Sequence, residues 1–124
     1  MGVILVDTSV WVDHLNRPDS DLLRLIADER CLLHPYVLAE IALGNLAGWP
    51  QVVRKLQAFR TVEPLGAAEL LDLIARFDLQ GSGLGFVDAH LLGSTVSLPE
   101  TRIWSRDRRL AARAEALGVK ADLA

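Results

Sequence analysis

The sequence predicts an α/β sandwich built around a central, mainly parallel β-sheet. Short, uninterrupted apolar runs such as Val3–Val6 are typical of strands that are buried on both faces, as in parallel sheets. Segments with apolar residues at helical spacing alternate with these runs, and no internal repeat or low-complexity tract breaks the alternation. With 124 residues, of which 51% are hydrophobic and 23% charged, the chain is expected to form a single domain, residues 1–124.

The first half of the chain is predicted to alternate strand and helix. After the first strand come a helix that Thr8 or Ser9 caps, a helix after the turn at 17–20, a short strand at 31–34 and a helix at 36–46. Pro35 lies where this last helix begins, because proline fits the first helical turn. Gly48 and Pro50 are expected to end it.

The second half adds further helices and strand candidates. Helices are predicted at 51–59, 67–77, 86–96 and 107–117, an extended piece at 61–64, a strand at 102–105 and an edge strand at 119–121. The glycines of residues 81–85 indicate a loop, because their spacing and their place after a helix do not fit a dinucleotide-binding turn.

The charge balance excludes a globally basic nucleic-acid binder. The chain has 13 Lys+Arg and 16 Asp+Glu, a formal charge of −3, so any surface that holds phosphates has to be local. The longest stretch without Asp, Glu, Lys or Arg spans 13 residues, 41–53, which is short of the ~18 apolar residues that a membrane span requires. The single Cys31 cannot form an internal disulfide and the N-terminal residues lack the features of a secretory signal, so we expect a cytoplasmic protein without a membrane segment.

Two aspartates follow predicted strands. Asp7 comes directly after the first strand, and Asp107 follows the strand at 102–105. The carboxyl ends of parallel strands line the crevice in which open α/β sheets bind ligands. The alternative for each residue alone is a helix N-cap, for which aspartate is a common choice.

Glu40 lies in an apolar region. It is the only Asp, Glu, Lys or Arg between Arg30 and Arg54, and both faces of its predicted helix are apolar, so we expect this helix to be buried all round. A lone buried carboxylate costs several kcal/mol unless it is paired or bound to a metal. The alternative is an ion pair with a basic residue from elsewhere in the chain.

Asp88 opens the helix after the glycine loop, and its neighbours at i+3, i+4 and i+7 predict that it points inward. Capping of the helix N-terminus could account for Asp88 alone. Capping does not explain four acids that all converge on one end of one sheet. Such a group would repel until protons or a cation neutralised it.

The ligand types favour magnesium or manganese as that cation. The three histidines, at 14, 34 and 90, have no metal-ligand spacing, and with a single cysteine they disfavour zinc. Carboxylate oxygens are ligands that suit Mg²⁺ or Mn²⁺.

A local basic cluster lies beside the last acid. Arg106, Arg109 and Arg113 form one stripe of the last predicted helix and are candidates for holding the phosphates of a polyanion such as RNA. A solvated helix face is the alternative for such a run. Trp11, Trp49 and Trp104 are expected in the core or at an interface, with base stacking as a further possibility.

Four segments together resemble the PIN-domain family, in particular toxins of the VapC type. They are Val-Asp-Thr-Ser-Val-Trp at 6–11, His-Pro-Tyr-Val-Leu-Ala-Glu at 34–40, Asp-Ala-His-Leu-Leu at 88–92 and Trp-Ser-Arg-Asp-Arg-Arg-Leu at 104–110. The resemblance implies a PIN-like three-layer α/β/α sandwich. It also implies an Mg²⁺- or Mn²⁺-dependent ribonuclease that is usually a homodimer and is neutralised by a VapB-type antitoxin.

Carried over residue by residue, the resemblance implies an acidic site with supporting hydroxyls. The acids are Asp7, Glu40, Asp88 and Asp107, and the supporting residues are Thr8, Ser9 and Ser105. The expected reaction is hydrolysis of an RNA phosphodiester by a metal-activated water, without a side-chain nucleophile.

Two other functions stay open from the sequence. A metal-dependent phosphatase could use Asp7 as a nucleophile, although such enzymes carry a second aspartate two residues later, where this chain has Ser9. A non-catalytic protein-binding module could use the acidic cleft to receive the arginines of a partner. Metal-dependent cleavage of RNA by the purified protein separates both from a ribonuclease.

Overall fold

The computed structural model describes residues 2–124. Its sheet contains three parallel strands in the order β2-β1-β3, namely β1 (Val3–Val6), β2 (Cys31–Leu32) and β3 (Thr101–Trp104). Leu5 of the central strand pairs with Leu32 on one side and with Ile103 on the other. Both faces of β1 are covered, since Leu5 and Val6 are each 0% exposed. The uninterrupted apolar run is therefore explained by burial on both sides.

Single parallel bridges extend the sheet at both edges. Leu33 pairs with Thr61, and Ile103 pairs with Lys120. The predicted edge strand at 119–121 is thus reduced to one bridge, in which the Ile103 N–H donates to Val119 O and the Ala121 N–H donates to Ile103 O.

Seven helices in residues 2–124 surround the sheet. They are α1 (Thr8–Asn16), α2 (Ser20–Ala27), α3 (Pro35–Leu43), α4 (Trp49–Gln57), α5 (Ala67–Arg76), α6 (Phe86–Ser97) and α7 (Arg108–Ala116). Helices α2, α6 and α7 contact the strands directly, while α3 packs on α1 and α4. This arrangement confirms the predicted α/β sandwich with a parallel sheet.

The boundary between α3 and α4 differs from the predicted one. Helix α3 ends at Leu43 because Gly44 is extended and its N–H turns back to Ile41 O. Helix α4 begins at Trp49, after Gly48 with its left-handed φ of 68°. Pro50 therefore lies in the first turn of α4, a position that proline favours, and does not break a preceding helix.

The tryptophans divide between core and surface. Trp11 is 2% exposed and Trp104 is 1% exposed, as expected for core residues, whereas Trp49 is 44% exposed and its indole N–H donates to Ala42 O at 2.7 Å. The thiol of Cys31 is buried, and burial raises its pKa to about 12. Across residues 2–124, no helix combines the length and the apolar character needed to cross a bilayer.

Candidate active site

Asp7 is the buried member of the acidic group. It follows β1 directly, its N–H donates to Trp104 O at 2.9 Å, and it is 5% exposed. Its Oδ2 accepts hydrogen bonds from the hydroxyls of Ser9 and Ser105, both at 2.7 Å. Although Asp7 stands at the N-cap position of α1, its side chain makes no capping hydrogen bond. The carboxylate therefore points away from the helix end and into the crevice.

The two serines connect Asp7 to the loop after β3. Ser9 Oγ accepts from the Arg106 N–H and Ser105 Oγ accepts from the Asp107 N–H, each at 3.0 Å. Each hydroxyl accepts from the backbone and donates to Asp7. The carboxylate is in this way fixed relative to the loop that carries the last acid.

Glu40 is placed differently from the sequence-based expectation. Helix α3 buries one face through Val37 and Ile41, but Glu40 is exposed and Leu43 is 87% exposed, so the expected burial all round the helix is wrong. Glu40 Oε1 accepts from the Thr8 hydroxyl at 2.6 Å. Within residues 2–124 no basic nitrogen lies in salt-bridge range of Glu40, so the structure does not contain the alternative ion pair.

Asp88 and Asp107 each use one oxygen at a helix N-terminus. Asp88 Oδ2 accepts from the Gly85 N–H at 3.3 Å, and Asp107 Oδ1 accepts from the Leu110 N–H at 3.0 Å. Capping is therefore real for both residues. Each capping bond uses one carboxylate oxygen, and the second oxygen of each carboxylate has no hydrogen bond within the part of the chain that the structure describes.

The four carboxylates form one electrostatic group. Partial burial raises the pKa of Asp88 above its ordinary value, and its hydrogen bond from the Gly85 N–H opposes that effect. The negative charges of Asp7, Asp107 and Glu40 raise the pKa of Asp88 further. The charges of Asp7, Glu40 and Asp107 therefore lie within electrostatic range of Asp88.

The four acids offer oxygen ligands for a hard cation, but they do not form a complete coordination shell. None of the four acids takes part in a salt bridge within residues 2–124. Over the same residues, no three His, Cys, Asp or Glu side chains stand close enough to form a ready metal-binding group. The free carboxylate oxygens are of the type that Mg²⁺ and Mn²⁺ bind.

Arg106, one of the three arginines predicted to bind phosphates, makes several contacts within the chain. Its guanidinium donates to Asp13 at 2.8 Å, to Asp19 at 2.6 Å and through Nε to Ala124 O at 3.0 Å. It also lies over the Trp104 ring, 5.3 Å from the centroid. Arg106 thus clamps α1 and α2 to the loop after β3, and three of its five side-chain N–H donors are engaged within the chain.

The other two arginines of the stripe remain candidates for phosphate binding. Arg109 is exposed and its Nη1 donates to Gly83 O at 3.4 Å. Gly83 has a φ of +84°, a left-handed backbone conformation that favours glycine. Arg113 lies one turn later on α7 and is half-buried.

Two buried histidines lie behind the site. His34 is 0% exposed and its Nδ1 accepts from the Tyr36 N–H at 3.0 Å, which caps α3. Burial lowers the pKa of His34 to about 4, with a contribution from His90, and burial also lowers the pKa of His90. Both are therefore neutral at pH 7.

Sequence reasoning missed an aromatic cluster beside the acids. His34, His90, Tyr36 and Phe86 form it through ring contacts of 4.6–6.0 Å between centroids. The available signal was position, because Tyr36 precedes Glu40 by one helical turn and Phe86 precedes Asp88 by two residues.

Comparisons with known proteins agree on one family. The model of the PIN domain matches residues 4–116. Ribonuclease VapC32 from Mycobacterium tuberculosis, in strains CDC 1551 / Oshkosh and ATCC 25618 / H37Rv, is 41% identical over 117 residues, which is 94% of this chain and 94% of the relative. The crystal structure of PAE2754 from Pyrobaculum aerophilum superposes with a TM-score of 0.65 at 19% identity, covering 94% of this chain and 92% of that one, and so shares the fold.

Proposed function

Because this chain belongs to the PIN-domain family, we propose that it is a VapC-type endoribonuclease that hydrolyses RNA phosphodiesters with Mg²⁺ or Mn²⁺. The observation that carries the proposal is the group of four carboxylates at the carboxyl edge of the sheet, with no basic partner in residues 2–124. A bound cation would offset the repulsion among these acids, which adds to the larger effect of burial in raising the pKa of Asp88.

We assign the metal ligands to the free carboxylate oxygens. Asp7, Glu40 and Asp88 would hold the cation directly or through water, and Asp107 would complete the shell or act through water. When bound, Mg²⁺ or Mn²⁺ lowers the pKa of a water molecule and stabilises charge on the scissile phosphate. The chain itself supplies no nucleophile, and the resemblance implies products with 5′-phosphate and 3′-hydroxyl ends.

The hydroxyls of the site act by orienting these oxygens. Ser9 and Ser105 hold Oδ2 of Asp7 at 2.7 Å, which leaves Oδ1 as the oxygen for the cation. Thr8 does the same for Glu40 by bonding Oε1 at 2.6 Å. Positioning of this kind keeps the ligand set ready for the transition state, where electrostatic stabilisation is largest.

The arginines of α7 compensate for the acidic surroundings. With a net charge of −3 and an acidic cleft, the protein repels RNA in the absence of a cation. Arg109 is exposed on the same helix that Asp107 caps, and we assign it and Arg113 to the RNA backbone.

Metal-dependent cleavage by the purified protein tests the function. We expect cleavage of single-stranded RNA with Mn²⁺ or Mg²⁺, no cleavage in EDTA, and loss of cleavage in Asp88→Asn. Asp72→Asn is a matched control, because Asp72 is an exposed aspartate on α5, away from the acidic group. Cleavage that persists through exhaustive EDTA treatment would overturn the metal-dependent mechanism.

We further propose a VapB-type antitoxin as the regulatory partner, a homodimer as the assembly and the cytoplasm as the location, as the family implies. An arginine of the antitoxin that enters the cleft would neutralise it with a bidentate contact to a carboxylate. Asp88→Asn should weaken that complex, as measured by calorimetric titration with the antitoxin. An inactive complex in which the partner leaves all four acids open to solvent would contradict this form of inhibition.

A further inference from the structure

Two aromatic rings lie on the helices that carry Glu40 and Asp88. Tyr36 stands one turn before Glu40 on α3, and Phe86 stands two residues before Asp88 on α6. Their centroids are 6.0 Å apart and their planes differ by 25°, an offset stacked arrangement. The aromatic pair therefore joins the two helices that carry two of the four acids.

The pair is held from beneath by buried histidine. His90 is 2% exposed and meets Tyr36 edge-on at 4.8 Å and 85°, and Phe86 at 4.6 Å and 69°. His34, which is 0% exposed, contacts the Tyr36 ring at 4.9 Å. These contacts restrict the rotamers of both outer rings, so the aromatic surface is fixed before any ligand arrives.

One of the fixed rings is open to solvent. Phe86 is 65% exposed, although its neighbours hold it in place. A single exposed apolar side chain is ordinary, but this one lies only two residues before Asp88, an acid of the proposed ribonuclease site. Phe86 has no polar atom with which to bind a cation or a phosphate. A nucleobase is the part of RNA that its π-face fits.

We propose that Phe86, supported by Tyr36, stacks on a nucleobase of single-stranded RNA that adjoins the phosphate held at the carboxylates. The inference rests on the proposed ribonuclease function and adds a binding subsite to it. Stacking accepts every base because each has a π-face, and purines offer the larger one. The aromatic pair therefore selects unpaired RNA over duplex RNA, whose bases are already stacked.

Binding to two matched probes tests the subsite. One probe is a fluorescein-labelled adenosine octamer, and the other is an octamer with the same phosphates and tetrahydrofuran abasic units. Binding is measured by fluorescence anisotropy in the presence of Ca²⁺. Ca²⁺ is used because its looser coordination supports catalysis less well, so the probes are cleaved less during the measurement. Phe86→Ala should bind the adenosine octamer about 5-fold or more weakly, with the affinity for the abasic octamer unchanged.

Further variants separate stacking from packing. Phe86→Leu keeps an apolar contact with His90 but has no π-face, so it should lose the same affinity while it melts like the wild type. Phe86→Trp should retain the affinity for the adenosine octamer. Leu71→Ala is the control, because Leu71 is 66% exposed on α5 and should change neither probe.

The outcomes distinguish this inference from the proposed function. A wild type that cleaves RNA, together with Phe86 variants that bind both probes normally or lose both equally, overturns the stacking subsite alone. The stacking subsite is also overturned if the Phe86 variants bind both probes normally but change from dimer to monomer in light scattering. The ring would then contact a second copy of the chain. A wild type that neither binds nor cleaves RNA with Mn²⁺ overturns both.

Discussion

Replacing Ser9 and Ser105 with alanine, singly and together, tests how Asp7 is held. Both hydroxyls donate to the same oxygen, Oδ2, at 2.7 Å, and Asp7 is 5% exposed, so water cannot easily replace them. Each is a charge-assisted hydrogen bond, and such bonds contribute about 1.5–3 kcal/mol. Either single variant should lose stability in this range, because the remaining serine still satisfies the oxygen.

The double variant should lose more than the sum of the two single losses. Once both donors are gone, a buried carboxylate oxygen has no partner and the full desolvation penalty applies. Residues that share a partner show coupling free energies of about 0.5–3 kcal/mol in such cycles. The measurement is urea denaturation of the metal-free protein at pH 7 for the wild type and the three variants, with free energies compared at equal denaturant slope.

Ser94→Ala provides the control for the loss of a serine. The Ser94 hydroxyl is buried and has no hydrogen-bond partner within residues 2–124, so its removal should be neutral or stabilising. If Ser105→Ala behaves like Ser94→Ala, or if the two site substitutions are simply additive, then the serines do not hold Asp7 and the reasoning is refuted.

Three further outcomes follow from the charges. Asp88→Asn should stabilise the metal-free protein at pH 7 and reduce the rise of Tm with Mn²⁺. Burial and the neighbouring acids raise the pKa of Asp88, so its charged form destabilises the fold above that pKa. An unchanged Tm in the metal-free protein would contradict this prediction. Arg106→Leu should cost about 1–3 kcal/mol in urea denaturation. The hydrogen bond from Arg106 is the main cause of the lowered pKa of Asp19. The stability that this bond contributes is therefore present above about pH 4 and is lost as the pH falls through the lowered pKa. Parallel pH dependences of stability for variant and wild type would exclude this contribution. Glu40→Gln should shift the Tm in EDTA by no more than about 2 °C, because the exposed side chain keeps an oxygen for Thr8. The stabilisation by Mn²⁺ should fall. A large loss of Tm in EDTA would indicate an ion pair.

The sequence allowed these acids to be singled out as candidates because local rules determine their places. Asp7 follows a strand, and Asp107 follows another strand and begins a helix, so parallel pairing alone brings both to the same edge. The element order was predictable for the same reason. The end of α3 was not, because Gly44, Gly48 and Pro50 are each compatible with a helix end or a helix start.

Burial and remote partners could not be read from the sequence. The apolar residues all round α3 do not reveal which face the fold covers, so the exposure of Glu40 and Leu43 became visible only in the structure. Arg106 belongs by spacing to a basic stripe, but Asp13 and Asp19 reach it from α1 and the start of α2. Such contacts depend on how helices pack, which composition and periodicity do not determine.

The uneven burial of the four acids has a consequence for how a cation is taken up. Asp7 is buried and held by two hydroxyls, so it would be the fixed ligand of the proposed cation, whereas Glu40 and Asp107 are exposed. Exposed carboxylates change rotamer at low cost, while moving Asp7 would break bonds to the loop after β3. We therefore expect the open acidic group to close on a cation by rotation of the exposed side chains, with the sheet edge and its serines unmoved.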